Sequence, residues 1–92
     1  MAKAKLNGGF EGWADQVFTV ASSFRLHRFH NKGGCDQTET NDFGVAMRLA
    51  HLELEAGRRV MVYACAESGR SVLLEQKLWN HFAELWTTNR KQ

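Results

Sequence analysis

The first ordered pattern of apolar and polar positions covers residues 16–29. Residues 16–21, Gln-Val-Phe-Thr-Val-Ala, are rich in β-branched and aromatic side chains, and residues 24–29 begin with apolar and basic side chains in alternation. Both patterns are typical of β-strands, which favour these residue types and place successive side chains on opposite faces. The pattern predicts two strands, or one long bent strand with a break near Ser22 and Ser23.

A polar loop and a helix are predicted next. Residues 30–37 are polar and include Gly33 and Gly34, which favours a flexible loop. Residues 38–42, Thr-Glu-Thr-Asn-Asp, supply candidate N-caps and acidic side chains that suit a helix N-terminus, so a helix is expected to begin near them. Gly57 is the expected end of this helix.

The periodicity of this helix predicts which of its sides is buried. Its apolar residues recur at the spacing of one helix face, at Phe43, Met47, Ala50 and Leu54. Arg48, Glu53 and Glu55 fall away from that face. The exposed side is therefore expected to be acidic at Glu53 and Glu55.

The second half of the chain predicts a buried strand and a second helix. Residues 59–66 carry apolar side chains on both sides of the alternation, which is typical of a central strand buried on both faces. Residues 67–70 predict a turn, and residues 71–74 fit either a return strand or the first turn of a helix. The apolar stripe of the second helix comprises Leu74, Leu78, Trp79, Phe82, Leu85 and Trp86.

These elements predict an α+β fold in which a small, mostly antiparallel sheet packs against two amphipathic helices. The chain has 92 residues, of which 43% are hydrophobic and 24% charged, and these values suit one globular domain. We therefore expect a single domain over residues 1–92, with frayed ends at residues 1–8 and 88–92. The apolar stretches are all far shorter than the roughly 18 residues of a membrane span, so no membrane association is expected.

The N-terminus and the two cysteines predict a cytoplasmic protein. Residues 1–9 contain two lysines but no apolar segment behind them, which argues against a secretory signal. Cys35 and Cys65 lie far apart in the sequence, so free thiols are expected rather than a disulfide.

No constellation of residues in the sequence indicates catalysis. The cysteines lie outside motifs typical of thiol enzymes, no Gly-x-Ser-x-Gly turn is present, and the glycine pairs do not form a phosphate-binding loop. His27, His30, Cys35 and Asp36 are close enough in sequence to consider zinc, but they lack the paired short spacings of structural zinc sites. We therefore expect a protein that is not an enzyme and that has no metal and no cofactor.

Positive charge is concentrated in the first third of the chain. Residues 1–35 carry five basic and two acidic side chains, a net charge of +3, whereas residues 36–92 have a net charge of −1. No acidic residue lies between Asp15 and Asp36. Basic donors in this interval suit phosphate oxygens, and the alternative is a solvated strand face that is basic without a binding role.

Seven residues are the expected binding set. They are Arg25, His27, Arg28, Asn31, Lys32, Arg58 and Arg59. The first three are predicted on a strand face that runs into the loop with the next two, and the last two are either a second part of the same patch or a charge pair that complements the helix dipole. The tryptophans are candidate platforms for base stacking, but Trp79 and Trp86 have the spacing of core residues.

One resemblance is carried by the middle and the end of the chain. Residues 47–50 (Met-Arg-Leu-Ala), residues 56–64 (Ala-Gly-Arg-Arg-Val-Met-Val-Tyr-Ala) and the pairs Leu73-Leu74 and Leu78-Trp79 resemble the first half of the chi subunit of the bacterial DNA polymerase III clamp loader. The second half of that family has no counterpart here. The resemblance implies an adaptor that binds a replication protein or single-strand-binding protein.

A second resemblance covers more of the chain. Residues 8–24 (GGFEGWADQVFTVASSF) and residues 30–49 (HNKGGCDQTETNDFGVAMRL) are similar to the small phage-encoded anti-CRISPR proteins, in particular the type I-F inhibitors. This resemblance implies binding to a multi-subunit CRISPR surveillance complex of protein and guide RNA, with prevention of target DNA recognition. Many of these inhibitors are acidic and imitate DNA, whereas this chain has a net charge of +2. We therefore expect a monomer that contacts guide RNA, or lies in the path of the incoming DNA, rather than a DNA mimic.

Overall fold

The computed structural model describes residues 13–90, which form three α-helices and one four-stranded antiparallel sheet. The elements in chain order are α1 (residues 13–19), β1 (Ala21–Phe29), β2 (Cys35–Thr40), α2 (Phe43–Glu55), β3 (Val60–Ala66), β4 (Ser71–Leu73), a 3-10 turn (Gln76–Leu78) and α3 (Trp79–Arg90). The strand order is β2-β1-β3-β4, so β1 and β3 are central. The predicted α+β class, with an antiparallel sheet against helices, is confirmed.

Helix α1 corrects the first prediction. Residues 16–19 are helical and the chain becomes extended only at Ala21, so the strand predicted over residues 16–21 is wrong. Strand propensity mostly reflects how well a side chain packs on a sheet, and tertiary packing overrides it here. Phe18 is 2% exposed because its ring packs against Phe24, Phe43 and Phe82, with centroid distances of 5.6, 5.0 and 5.0 Å.

The break predicted near Ser22 and Ser23 is present as an irregularity within β1. The pairing with β3 changes register between Ala21, opposite Ala66, and Ser23, opposite Cys65. An extra residue of this kind bends a strand and increases its twist. The bulge lies where the chain leaves α1 and enters the sheet.

Strand β2 was not predicted from the sequence. Residues 35–37 were assigned to a loop and the next residues to the start of a helix, but Cys35–Thr40 pairs with β1 along its full length. This strand is polar because it lies at the sheet edge and is largely exposed. The helix begins instead at Phe43, where the predicted capping is provided by Asp42, whose carboxylate accepts a hydrogen bond of 3.1 Å from the Val45 amide.

The helices cover only one face of the sheet. The core residues of the two central strands are Phe24, Leu26, Val62 and Ala64, which are all 0% exposed and share that face. They pack against apolar side chains of α2 and α3, including Phe43, Ala46, Ala50, Trp79 and Phe82. The prediction that β3 is buried on both faces is therefore wrong, since Met61, Tyr63 and Cys65 point away from the helices and are only half-buried.

The structure shows whether residues 71–74, for which the sequence fits either a strand or a helix, are extended or helical. Residues 71–73 form β4, a short return strand against β3, and Leu74 is buried immediately after it. The Trp79 indole nitrogen donates a hydrogen bond of 2.8 Å to the Leu74 carbonyl oxygen, which joins the end of β4 to the start of α3. Trp79 is 6% exposed and Trp86 packs against the core, as their spacing predicted. Helix α3 continues to Arg90, beyond the residue where fraying was expected, and residues 1–8 lie outside the described part.

Glu53 contradicts the predicted acidic outer side of α2. Glu53 is 8% exposed, and its carboxylate accepts a hydrogen bond of 2.8 Å from the Arg58 guanidinium. The other carboxylate oxygen lies 3.7 Å from a guanidinium nitrogen of Arg28. The hydrogen bond from Arg58 lowers the pKa of Glu53 below its ordinary value, with the charges of Arg58 and Arg28 adding to it and burial opposing it. The carboxylate is retained at this buried position because two cations meet it.

We expect the Glu53→Gln variant to lose about 1–2 kcal/mol of unfolding free energy near pH 7, because the substitution removes the charge that both arginines face. A lowered pKa stabilises the fold above the ordinary carboxylate value of 4.5, and this stabilisation is lost as the pH falls through the pKa of the folded protein. Urea unfolding of both proteins across this range should show their difference shrinking in acid. The Glu55→Gln variant, at an exposed position of the same helix, is the control, and an equal loss in both variants would contradict the role of Glu53.

We expect Phe18→Ala to destabilise the protein by about 3–5 kcal/mol, because it empties a site surrounded by aromatic rings. Val20→Ala, at a residue that is 64% exposed in the same segment, should cost less than about 0.5 kcal/mol. Thermal and urea unfolding measure both values. A Phe18 variant as stable as the Val20 variant would show that α1 does not belong to the core.

Candidate nucleic-acid interface

The sheet face opposite the helices is not covered by any other element of residues 13–90. We call it the open face. Strand alternation places on it Arg25, His27 and Phe29 of β1, Met61, Tyr63 and Cys65 of β3 with Arg59 just before them, Cys35, Gln37 and Glu39 of β2, and Ser71 and Leu73 of β4. It combines aromatic, polar and basic side chains.

The register arranges these side chains in rows across the strands. Arg25 lies between Glu39 and Tyr63, and Leu73 follows Tyr63 in the same row. The next row along β1 is centred on His27, between Gln37 and Met61. The third row contains Phe29, whose amide donates a hydrogen bond of 3.0 Å to the Arg59 carbonyl oxygen. Arg59 therefore lies beside Phe29 at one end of the face.

Two contacts bring the rings of the open face together. The centroids of the His27 and Tyr63 rings are 5.1 Å apart with an angle of 51° between the ring planes. The Arg59 guanidinium carbon lies 5.2 Å from the centroid of the Phe29 ring, within the range of a cation–π interaction. Aromatic surface and positive charge are thus adjacent at the end where β1 meets the hairpin loop.

The arginines and the lysine of the predicted binding set divide into two groups. Arg28 and Arg58 lie on the helix side, where both face the Glu53 carboxylate. Arg25, Lys32 and Arg59 have no carboxylate within 4.0 Å among the described residues. Among the described residues, Glu39 is the one acidic residue of the open face, and it accepts a hydrogen bond of 2.8 Å from the Ser23 hydroxyl. Arg25 and Arg59 lie on the open face and Lys32 on the loop next to it, whereas Arg48 and Arg70, which also have no carboxylate within 4.0 Å among the described residues, lie elsewhere on the surface.

The loop between β1 and β2 extends this surface. Asn31 and Lys32 are exposed at its tip, and Gly33 and Gly34 have φ angles of 97° and 90°, a conformation that glycine adopts without steric cost. A shallow depression joins this loop to the third row of the open face. It is lined by Phe29, His30, Asn31, Gly33, Gly34, Gly57 and Arg59.

The predicted binding set is therefore divided by the fold. Arg25, His27 and Arg59 share the open face, and Asn31 and Lys32 lie on the adjoining loop. Arg28 does not lie with Arg25 and His27, because adjacent strand residues point to opposite faces. It turns toward α2 with Arg58, and both bind Glu53.

Phe29 and Tyr63 are the members of the surface that the sequence-based set omitted. Phe29 alternates with Arg25 and His27 along β1, and Tyr63 is in the same alternation as Arg59, which directly precedes β3. This shared alternation was a usable signal. The sequence obscures this signal because residues 59–66 carry little charge, a pattern that favours burial on both faces.

The side chains considered for zinc do not converge. His30 pairs with Asp36 at 3.0 Å, while His27 contacts Tyr63 on the open face. Within residues 13–90, no group of three or more His, Cys, Asp and Glu side chains is arranged to hold a metal ion. Both cysteines are free thiols.

Within residues 13–90, every helix is too short or too polar to cross a bilayer.

Comparisons with protein-family models, with curated proteins and with solved structures found no match to this chain.

Proposed function

We propose that this chain is a non-enzymatic binding protein that contacts nucleic acid through its open face and the adjoining β1–β2 loop. The observation that carries the proposal is that Arg25 and Arg59 lie on the sheet face that the described helices leave uncovered, with Lys32 on the loop beside it. None of these three cations has a carboxylate partner among the described residues. Cations left free by the fold are available to phosphate oxygens.

The composition of this surface supports a phosphate-bearing partner rather than an acidic protein surface alone. Arginine and lysine bind phosphate, and neighbouring polar side chains such as Gln37 and Asn31 add hydrogen-bonding groups for sugars and bases. The overall charge of +2 is small, so the attraction is local and depends on where the fold places each cation.

The biological setting we propose is a type I-F CRISPR surveillance complex, with the guide RNA as the contacted strand. The resemblance to anti-CRISPR proteins suggests this setting, and a basic open face is compatible with contact to RNA but not with imitation of a DNA backbone. A protein that binds the guide RNA, or that lies in the path of the incoming DNA strand, prevents the guide RNA from hybridising to target DNA. The protein then acts stoichiometrically and without chemistry.

We expect the triple variant Arg25→Glu/Lys32→Glu/Arg59→Glu to lose more than about tenfold in affinity for RNA, because it replaces three phosphate contacts with repulsion. Fluorescence anisotropy with the isolated protein measures this loss, and the native affinity should fall steeply with added salt. Inhibition of target DNA binding by the surveillance complex should weaken in parallel.

The matched control is Arg48→Glu/Arg70→Glu/Lys77→Glu, which changes the charge equally at exposed positions outside the open face. It should retain native affinity at a given salt concentration. Equal behaviour of the two triple variants would overturn the assignment of the open face. Unchanged target DNA binding at saturating native protein would overturn the surveillance-complex setting, and capture of single-strand-binding protein instead would favour the chi-like adaptor.

A further inference from the structure

We infer that the open face binds single-stranded nucleic acid by stacking unpaired bases on Phe29, His27 and Tyr63, so that duplexes are poor ligands. This inference rests on the proposed function and names its substrate class. It is carried by the positions of three rings on the two central strands and by the cations beside them.

The rings form a diagonal series across the centre of the sheet. His27 and Phe29 are two residues apart on β1, which separates same-face side chains by about 6.7 Å. Tyr63 lies on β3 and contacts His27 at 5.1 Å between centroids. All three residues are half-buried, so neighbouring side chains support each ring while part of each residue remains exposed. The exposed part of His27 does not include Nε2, which is buried and has no hydrogen-bond partner among the described residues. Rings held in this way lose little conformational entropy when a base stacks on them.

Each end of this series has a cation in place for a phosphate. Arg25 is directly opposite Tyr63 in the register, and Arg59 is opposite Phe29. The Arg59 guanidinium already lies over the Phe29 ring, at 5.2 Å from its centroid, and bases stack on guanidinium planes as well as on aromatic rings. A nucleic-acid strand that crosses the open face therefore meets a ring and a cation together at each end of the ring series.

The polar margin of the face suits the edges of unpaired bases. Gln37 lies beside His27 and offers both a donor and an acceptor, while Glu39 beside Arg25 offers acceptors for base amino groups. The Glu39 carboxylate, opposite Arg25 in the register, weakens the attraction of phosphates at that end, so the backbone is expected to be held more strongly at the end with Arg59 and the loop. Such edges are accessible only when a base has no pairing partner.

Duplexes cannot use these features. Their base faces are stacked within the helix, so a broad sheet face meets only sugars and phosphates. Duplex binding is then limited to the attraction between phosphates and Arg25, Arg59 and the loop residue Lys32. The preference for single strands is the property that separates stacking from simple charge attraction.

The test compares labelled single-stranded RNA and DNA oligonucleotides with a duplex of equal length, using anisotropy with the full chain. We expect the single strands to bind at least about tenfold more tightly than the duplex. Tyr63→Leu and Phe29→Leu keep apolar bulk in half-buried positions while removing the ring, and each should lower single-strand affinity about tenfold with little change for the duplex. Tyr63→Phe, which keeps the ring, should retain single-strand affinity.

Circular dichroism and urea unfolding establish that the leucine variants fold. Equal native affinity for duplex and single strand, or no effect of both leucine substitutions, would overturn the stacking inference while leaving the charge-based contact in place. Absence of any nucleic-acid binding by the native protein would overturn the proposed function as well. The RNA and DNA arms distinguish the two strand types, since a preference for RNA requires contact with the 2′-hydroxyl.

Discussion

The packing of all three described helices on one face of a four-stranded sheet is the constraint on which the other features depend. Phe18, Phe24, Phe43 and Phe82 meet in one aromatic cluster that joins α1, β1, α2 and α3, with Trp86 at its side. Because strand side chains alternate, every β1 and β3 residue committed to this cluster sends its neighbours to the opposite face. The open face is thus a geometric consequence of how the core is built.

The same packing determines the electrostatics of the surface. Helix α2 places Glu53 where a cation from β1 and a cation from the α2–β3 connection can reach it, so Arg28 and Arg58 are held within the fold. Their neighbours Phe29 and Arg59 stand on the opposite side of the same strands. The buried Glu53 carboxylate therefore holds Arg28 and Arg58 on the helix side, while Arg25 and Arg59 lie on the open face.

A small net charge is compatible with a phosphate-binding surface for this reason. What a phosphate meets is the local arrangement of Arg25, Arg59 and Lys32, and acidic residues elsewhere on the surface are screened over a distance of about 8–10 Å at ordinary salt. The aromatic side chains between these cations allow contacts that charge alone does not supply. In the proposed function, charge attracts a nucleic-acid strand to the face and the rings supply the preference for unpaired bases.

The sequence by itself determined the helices α2 and α3, the presence of strand β3, the glycine that ends α2 and the basic character of the first third of the chain. These follow from periodicity, capping and composition, which are local properties. Local pattern failed at α1, because residues 16–19 are helical with Phe18 in the core despite their strand-like composition, and at β2, whose polar edge strand lacks an apolar alternation. Only the tertiary structure decided that Glu53 is buried and pairs with Arg28 and Arg58. It also decided that Phe29 and Tyr63 lie on the same sheet face as Arg25 and Arg59. Those outcomes depend on strand register and on residues distant in sequence, which the order of amino acids along a single element does not specify.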